Sequence, residues 1–365
     1  MLEKATELVY GNGMDSLKKL SLMLRPPGKG IYVVSAGPET TLPPKALEFW
    51  KKSFSQISKA KVILIGVPSD CGAGYLRGAN MGPLELRKVL YQNKTFLNYI
   101  QSKEVIDIGD LFVIPQLLYD KMLSAAQIQK HRKELYPSLK EKLPVSPLSI
   151  LEEVIRILFA INPQVKILAL GGDHSITWPI LKAYSQKFFQ NFCVLHFDAH
   201  TDLLKSRMGI DYCFGTWAYH ANDLIGRSQR LVQVGIRKSG KTKEHWEKTL
   251  QVKQFWAKDI LKNPKRAEAQ ILDHLHSLKL NKVYISNDID GTGMEYAAAT
   301  GTAEPHGLTP KFVSNLIQKV GEEFEVIGGD LVEVAPPLHL DHKGEPKKTL
   351  DVGTHYILHT LQMML

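Results

Sequence analysis

The sequence predicts an α/β fold in which a central parallel sheet is flanked by helices. Two observations carry that expectation. Short, uninterrupted apolar runs recur along the chain, and amphipathic helical patterns lie between them. A strand covered on both faces reads as a continuous apolar run, whereas a half-exposed strand alternates. Alternation of such strands with helices gives parallel strands joined by right-handed crossovers.

The first run is Val62-Ile63-Leu64-Ile65-Gly66, which ends in a turn. The others are Lys166 to Leu170, Phe192 to Phe197, Leu231 to Ile236, Val283 to Ser286 and Phe324 to Gly328. Ser149 to Ile161 places apolar residues at helical spacing behind Pro147, and Ala267 to Leu278 and Lys311 to Val320 repeat the pattern. The charged stretch Lys121 to Lys142 reads as an exposed helix or insertion. Residues 1–60 carry turn signals at Pro26-Pro27-Gly28 and Pro43-Pro44 and read as an N-terminal extension or cap. Residues 61–365 form the main domain. The chain shows no internal repeat and no low-complexity tract.

Bulk properties narrow the function. The 365 residues are 44% hydrophobic and 23% charged, an ordinary globular balance that leaves no room for wholesale disorder. The formal charge is +9, but the basic residues are scattered, and Lys241 to Lys248 is interrupted by Glu244 and Glu247. Without an aromatic-interleaved basic stripe, nucleic acid is not the expected partner. Cys71, Cys193 and Cys213 form neither a disulfide framework nor a zinc pattern. Met1 to Leu20 lacks the apolar core of a signal peptide, and no apolar run reaches membrane-spanning length. The expected setting is soluble and cytoplasmic.

Chemistry-bearing residues follow the strands. After Leu170 comes Gly171-Gly172-Asp173-His174-Ser175, and after Phe197 comes Asp198-Ala199-His200-Thr201-Asp202. After Ser286 comes Asn287-Asp288-Ile289-Asp290, and after Gly328 comes Gly329-Asp330-Leu331-Val332-Glu333. Binding sites of parallel sheets form at the C-terminal strand edge. In extended backbone, side chains at i, i+2 and i+4 share a side, so Asp198, His200 and Asp202 can converge, as can Asp288 and Asp290. Each piece alone has a structural reading: Asp-X-Asp is often a turn or helix cap, and Gly-Gly-Asp-His can be a simple turn. Together, each behind a strand, they concentrate negative charge that a cation must neutralise. Carboxylates with a few imidazoles and no thiolate suit Mn²⁺-like ions better than structural zinc. Six such ligands with bridging carboxylates can hold two metals and lower the pKa of a shared water.

These motifs resemble the ureohydrolase family, which includes arginase, agmatinase, guanidinobutyrase and formimidoylglutamase. Ala299-Thr300-Gly301-Thr302-Ala303-Glu304-Pro305 adds to the match, as do Gly66-Val67-Pro68, Arg77 to Pro83 and Val234-Gly235-Ile236-Arg237. The resemblance implies a three-layer arginase-like fold and a hydrolase of C–N bonds in linear amidines. It implies two Mn²⁺, with Ni²⁺ or Co²⁺ as alternatives. One metal would take His174, Asp198, Asp202 and Asp288. The other would take Asp198, His200, Asp288 and Asp290, so that Asp198 and Asp288 bridge. A metal-bridging hydroxide would attack the amidine carbon, Asp202 would orient it and help move its proton, and Glu333 would bind the cationic amidine. The implied partners are a small guanidino or formimino substrate and further copies of the chain, as a trimer or hexamer, with no nucleic acid and no membrane.

Three departures from the family pattern matter. Phe214 stands where members acting on arginine or agmatine carry a histidine, and Leu204 stands where arginases carry an asparagine that reads the amino-acid end. Gly293 replaces a usual aspartate that is not a ligand. A phenyl ring cannot shuttle a proton, although formimidoylglutamase-like members also lack that histidine. His220, His306 and Cys213 are the candidates to supply it; as bland readings they are a helix packing residue, a surface turn residue and a buried small hydrophobe. Three functions stay open: a guanidino hydrolase releasing urea, a formimino hydrolase releasing formamide, and a non-catalytic, metal-holding regulatory subunit.

Overall fold

The structure is a computed structural model and describes residues 13–32, 42, 44–137, 142–338 and 342–365. Residues 1–12, Pro43 and the end of the Lys121–Lys142 stretch therefore lie outside the described residues. Nine strands form one sheet: β1 (Leu24–Arg25), β2 (Val62–Val67), β3 (Val105–Leu111), β4 (Lys166–Gly171), β5 (Cys193–Phe197), β6 (Leu231–Ile236), β7 (Lys253–Trp256), β8 (Lys282–Asp288) and β9 (Glu325–Val332). Their spatial order is β1-β3-β2-β4-β9-β8-β5-β6-β7. All neighbouring pairs run parallel except β1 with β3.

Period-two alternation divides the core into two layers. In β2, Ile63, Ile65 and Val67 face the helices Gly13–Met23, Pro147–Ile161 and Thr177–Phe188, while Val62 and Leu64 face the opposite layer. That second layer holds the helices Gly82–Leu90, Pro264–Ser277, Pro310–Glu323 and Lys347–Met364. The three layers match the fold expected from the sequence.

The six expected strands form within a few residues of their predicted limits. Pro at the first or second position opens the helices Pro147–Ile161, Pro264–Ser277 and Pro310–Glu323, where its missing N–H costs nothing. The Lys121–Lys142 stretch contains the helix Ala125–Leu135, which buries no residue. Residues expected as an N-terminal extension contribute β1 and the helix Gly13–Met23, which packs on Pro147–Ile161. The sequence reading missed β3, because Asp107, Gly109 and Asp110 interrupt its apolar run. Those acids are buried against Arg87, whose Nε and Nη2 donate to Asp107 at 2.8 and 2.9 Å and whose Nη1 donates to Asp110.

The consequence for function is positional. β4, β9, β8 and β5 are neighbours at the middle of the sheet, and all four point their C-terminal ends to one edge.

Candidate metal centre

Four loops leave those four strands. Gly172 allows the first to turn tightly, since a Cβ there would overlap the Ser69 carbonyl. Asp173 then accepts from the N–H of Gly72 at 2.9 Å and of Ser175 at 2.8 Å, which fixes the turn and delivers His174 to the centre. From the second loop come Asp198, His200 and Asp202, from the third Asp288 and Asp290, and from the fourth Glu333.

The predicted ligands do converge. His174 Nδ1 lies 3.0 Å from an Asp288 oxygen and 3.4 Å from oxygens of Asp198 and Asp202. His200 Nδ1 lies 3.0 Å from Asp290 and 3.4 Å from Asp198. Asp198 is common to both groups, and the ligand atoms within each of two clusters lie within 4.8 Å of one another. One cluster also contains His196, whose ring is already committed: Nε2 meets Asp198 at 2.8 Å and Nδ1 meets the Gln233 amide at 3.0 Å. His196 thus supports a ligand.

Other supporting residues were not read from the sequence. Ser286 Oγ lies 3.0 Å from His174 Nε2 and donates to Asp330 at 2.8 Å, leaving His174 Nδ1 turned to the carboxylates. Tyr284 and Thr177 also donate to Asp330. Trp217 is fully buried, stacks on His174 at 4.4 Å, and donates its indole N–H to Asp202 at 2.9 Å. The only available signal was proximity in sequence to Asp202; nothing in the spacing marks an indole as a carboxylate partner. Thr302 donates to Asp290 at 2.8 Å, which gives the Ala299–Pro305 motif its place.

The electrostatics show what is missing. Burial, and then the charge of Asp198, pushes the Asp202 carboxyl well above the usual range. Asp288 is raised likewise by burial and by Asp290 and Asp198, and Glu333 by burial and Asp173. Asp173 is pushed by burial to about 6. Burial opposes a charge on His200, yet Asp290 and Asp198 lift it to about 12, and His174 is raised by hydrogen bonds with Asp198 and Asp288. Against burial, hydrogen bonds with His174, His196 and His200 hold Asp198 well below its ordinary value. Arg237 is nearby, but its guanidinium donates to backbone carbonyls of Gly235, Asp290, Gly291, Thr292, Glu304 and Pro305. Among the described residues, no Lys or Arg forms an ion pair with this buried acid cluster. The donor set therefore fits divalent cations, which would replace the protons on His174 and His200.

Asp202 and Glu333 have left-handed backbone, with φ of 51° and 62°. Strain at non-glycine residues persists only where the surroundings enforce it. Asp202 is enforced by Trp217 and by the Tyr219 N–H on its carbonyl; Glu333 is enforced by its carboxylate accepting the His174 N–H at 2.8 Å.

Two of the three candidates for a replacement acid are elsewhere engaged. His220 lies 3.0 Å from the Lys205 carbonyl and packs against Tyr212. Cys213 is buried beside Thr216. His306 is an exposed turn residue with φ of 57°. A separate groove of about 670 Å³ beside β7 gathers Lys253, Phe255, Trp256, Lys262 and Arg266, and shares no residue with the acid cluster. No described helix is long and apolar enough to cross a membrane.

Comparison with known proteins adds the following. Residues 60–361 match the arginase family. An agmatinase of Bacillus cereus is 28% identical over 290 residues, covering 78% of this chain and 87% of its own length. A guanidinobutyrase of Pseudomonas aeruginosa is 31% identical over 300 residues, covering 78% and 82%. The proclavaminate amidino hydrolase of Streptomyces clavuligerus superposes with a TM-score of 0.66 at 24% identity, covering 84% of this chain and 92% of that one, a likeness of fold.

Proposed function

The chain belongs to the arginase family, hydrolases of C–N bonds in linear amidines, and on that premise we propose that it cleaves a guanidino compound to urea and an amine at a centre of two divalent metals. The observation that carries the proposal is the convergence of buried Asp198, Asp202, Asp288, Asp290 and His174 with half-buried His200, with no Lys or Arg paired to them among the described residues. His174, Asp198, Asp202 and Asp288 would hold one ion, and Asp198, His200, Asp288 and Asp290 would hold the other. Mn²⁺ is the proposed native metal, with Ni²⁺ or Co²⁺ as alternatives. When bound, two such ions lower the pKa of a shared water and so supply hydroxide at neutral pH.

The chain's own groups do the rest. Trp217 occupies Asp202 Oδ2, so Oδ1 is the oxygen that takes the proton of the attacking water and returns it to the departing amine. Glu333 Oε1 is tied to the His174 N–H, which leaves Oε2 to accept from the guanidinium and hold its flat face to the centre. Water adds at the amidine carbon, the bond to the tail nitrogen breaks, and urea and the amine leave.

Phe214 favours a second reading, a metal-holding subunit without turnover, because a phenyl ring cannot shuttle a proton in place of the expected histidine. Three free thiols support a reducing, cytoplasmic setting. Assembly into a trimer or hexamer is a proposal for sedimentation to test.

One experiment separates these readings. The protein is loaded with Mn²⁺, Ni²⁺ or Co²⁺, and urea, ammonia and formamide release is followed from guanidino compounds and from formiminoglutamate. Urea release that disappears in Asp198→Ala supports the proposal, and formamide release replaces it with a formimino hydrolase. Two bound metals with no product from any substrate establish the non-catalytic reading.

A further inference from the structure

The loop between Asp202 and Trp217 is closed at its base, because Trp217 returns to donate to Asp202 and the Leu204 N–H donates to the Gly215 carbonyl. The loop therefore leaves from and returns to the side of the centre, at its mouth. It presents large apolar side chains to water: Met208 is 96% exposed, Leu204 47% and Ile210 36%. The loop after β2 faces it, since the Phe214 N–H donates to the Gly72 carbonyl and the Phe214 ring lies beside Gly74. That neighbour carries Tyr75, which is 90% exposed. Exposed apolar side chains on two adjoining loops suit a binding surface.

The charges at this mouth differ in what they hold. Arg77 donates to the Asp70 carbonyl, Lys238 pairs with Glu304 at 3.7 Å, and Arg237 is spent on carbonyls. Arg207 is exposed and sits 4.9 Å over the Phe214 ring, with no carboxylate partner among the described residues. Lys205, in the same loop, also has no ion pair there. Asp211 is an exposed acid of the same loop, four residues from Arg207, and the two form no ion pair. A guanidinium stacked on a ring keeps its edge donors free, and its planar fork matches a carboxylate.

We propose that this mouth is the tail subsite and that it selects a linear guanidine with an apolar chain ending in a carboxylate and bearing no ammonium group. Leu204, Met208 and Tyr75 cover the methylenes, Phe214 supports Arg207, and Arg207 takes the carboxylate. An ammonium tail meets the positive charge of Arg207 and is repelled. Phe214 is thereby a specificity residue standing where the family's proton shuttle is absent. The inference rests on the guanidine reading of the centre.

The test uses three compounds that differ only at the far end: 4-guanidinobutyrate, n-butylguanidine and agmatine. With the metal-loaded protein, kcat/KM falls in that order, and the carboxylate is favoured over the methyl end by about 10- to 100-fold, the range of a charge-assisted hydrogen bond. The difference lies in KM. In Arg207→Gln the first two compounds converge, and in Arg207→Glu agmatine moves to the front. Calorimetric binding of the same compounds gives the same order without turnover, so an inactive protein still decides the question. Absence of urea with the order retained overturns the catalytic reading alone. Preference for agmatine, or an order unmoved by both Arg207 variants, overturns this one alone.

Discussion

Two clusters of buried acid sit in the same sheet and have opposite solutions to the same problem. At β3, Asp107 and Asp110 are buried, but Arg87 is buried with them and donates to both. The Gly28, Gly109 and Tyr91 donors complete the shell. At the ends of β4, β5, β8 and β9, the acids outnumber their imidazoles, and the one nearby guanidinium, Arg237, is turned to backbone carbonyls. A buried charge costs several kcal/mol unless it is paired. The first cluster carries its own counter-ion and is a structural joint. The second has no such partner among the described residues, which suits it to an ion from outside. Buried acid is therefore a poor marker of function by itself, and the missing cation is the better one.

The largest expected effect breaks the second cluster. Asp198→Ala removes the carboxylate common to both groups, so turnover falls by more than the roughly 100-fold that marks loss of an outer partner. Metal content, measured on the purified variant, drops with it. Unchanged turnover would falsify the shared role of Asp198.

Next is the first cluster. Arg87→Met leaves Asp107 and Asp110 buried without their cation and destabilises the fold by about 3–5 kcal/mol. Metal bound per folded molecule stays as in the wild type. A variant that unfolds normally but loses metal would erase the distinction between the two clusters.

The third prediction concerns pH in metal-free protein. The folded pKa values of Asp202, Asp288 and Glu333 are raised above their unfolded values by burial and by mutual repulsion. The folded state then binds more protons than the unfolded state, so stability falls as pH rises above about 4, the unfolded carboxylate value. His174 and His200 are also raised, so their contribution is present below about 6.5 and is lost as pH climbs through their folded values. Both trends have one sign: Tm of the chelated protein declines between about pH 5 and 9. Saturating Mn²⁺ removes the decline, and at about 100 times Kd adds about 2.7 kcal/mol. A Tm that rises with pH in chelator would count against unanswered charge at this centre.

The smallest effects belong to the supporting shell. Trp217→Phe keeps a ring against His174 and loses the N–H to Asp202, and His196→Ala loses the donor to Asp198. Each weakens metal binding by roughly 10- to 100-fold with the fold intact, read by competition with a chelator. Trp217→Phe acts selectively on the ion that shares His174 and Asp202, so the two binding steps separate. Equal weakening of both steps would show that the indole serves general packing.

Much of the architecture was legible because parallel strands buried on both faces must be apolar throughout. The runs beginning at Val62, Lys166, Phe192, Leu231, Val283 and Phe324 all became strands. β3 was not legible, because Asp107 and Asp110 break its run and their partner Arg87 lies about twenty residues earlier. β7 reads Lys253, Gln254, Phe255 and Trp256, two polar residues and then two aromatic ones, too short for a periodic signal. The same groove shows that basic residues scattered in sequence can meet aromatic rings in space: Lys243 and Lys253 stand over Phe255, and Lys258 over Trp256.

What the sequence determined by itself is which acids and histidines meet at one rim. Their spacing is short-range and follows strand ends, and strand geometry alone brings Asp198, His200 and Asp202 to one rim. Only the tertiary structure decided which groups stand behind them. His196, Ser286, Asp330 and Trp217 act through side-chain contacts across different strands and loops. It also decided that β4, β9, β8 and β5 are neighbours, which no local pattern encodes, and that Arg237 is spent on carbonyls while Arg207 is not. The reason is physical: periodicity reports which face of an element is buried, but whether a buried charge is answered depends on which other elements pack against it.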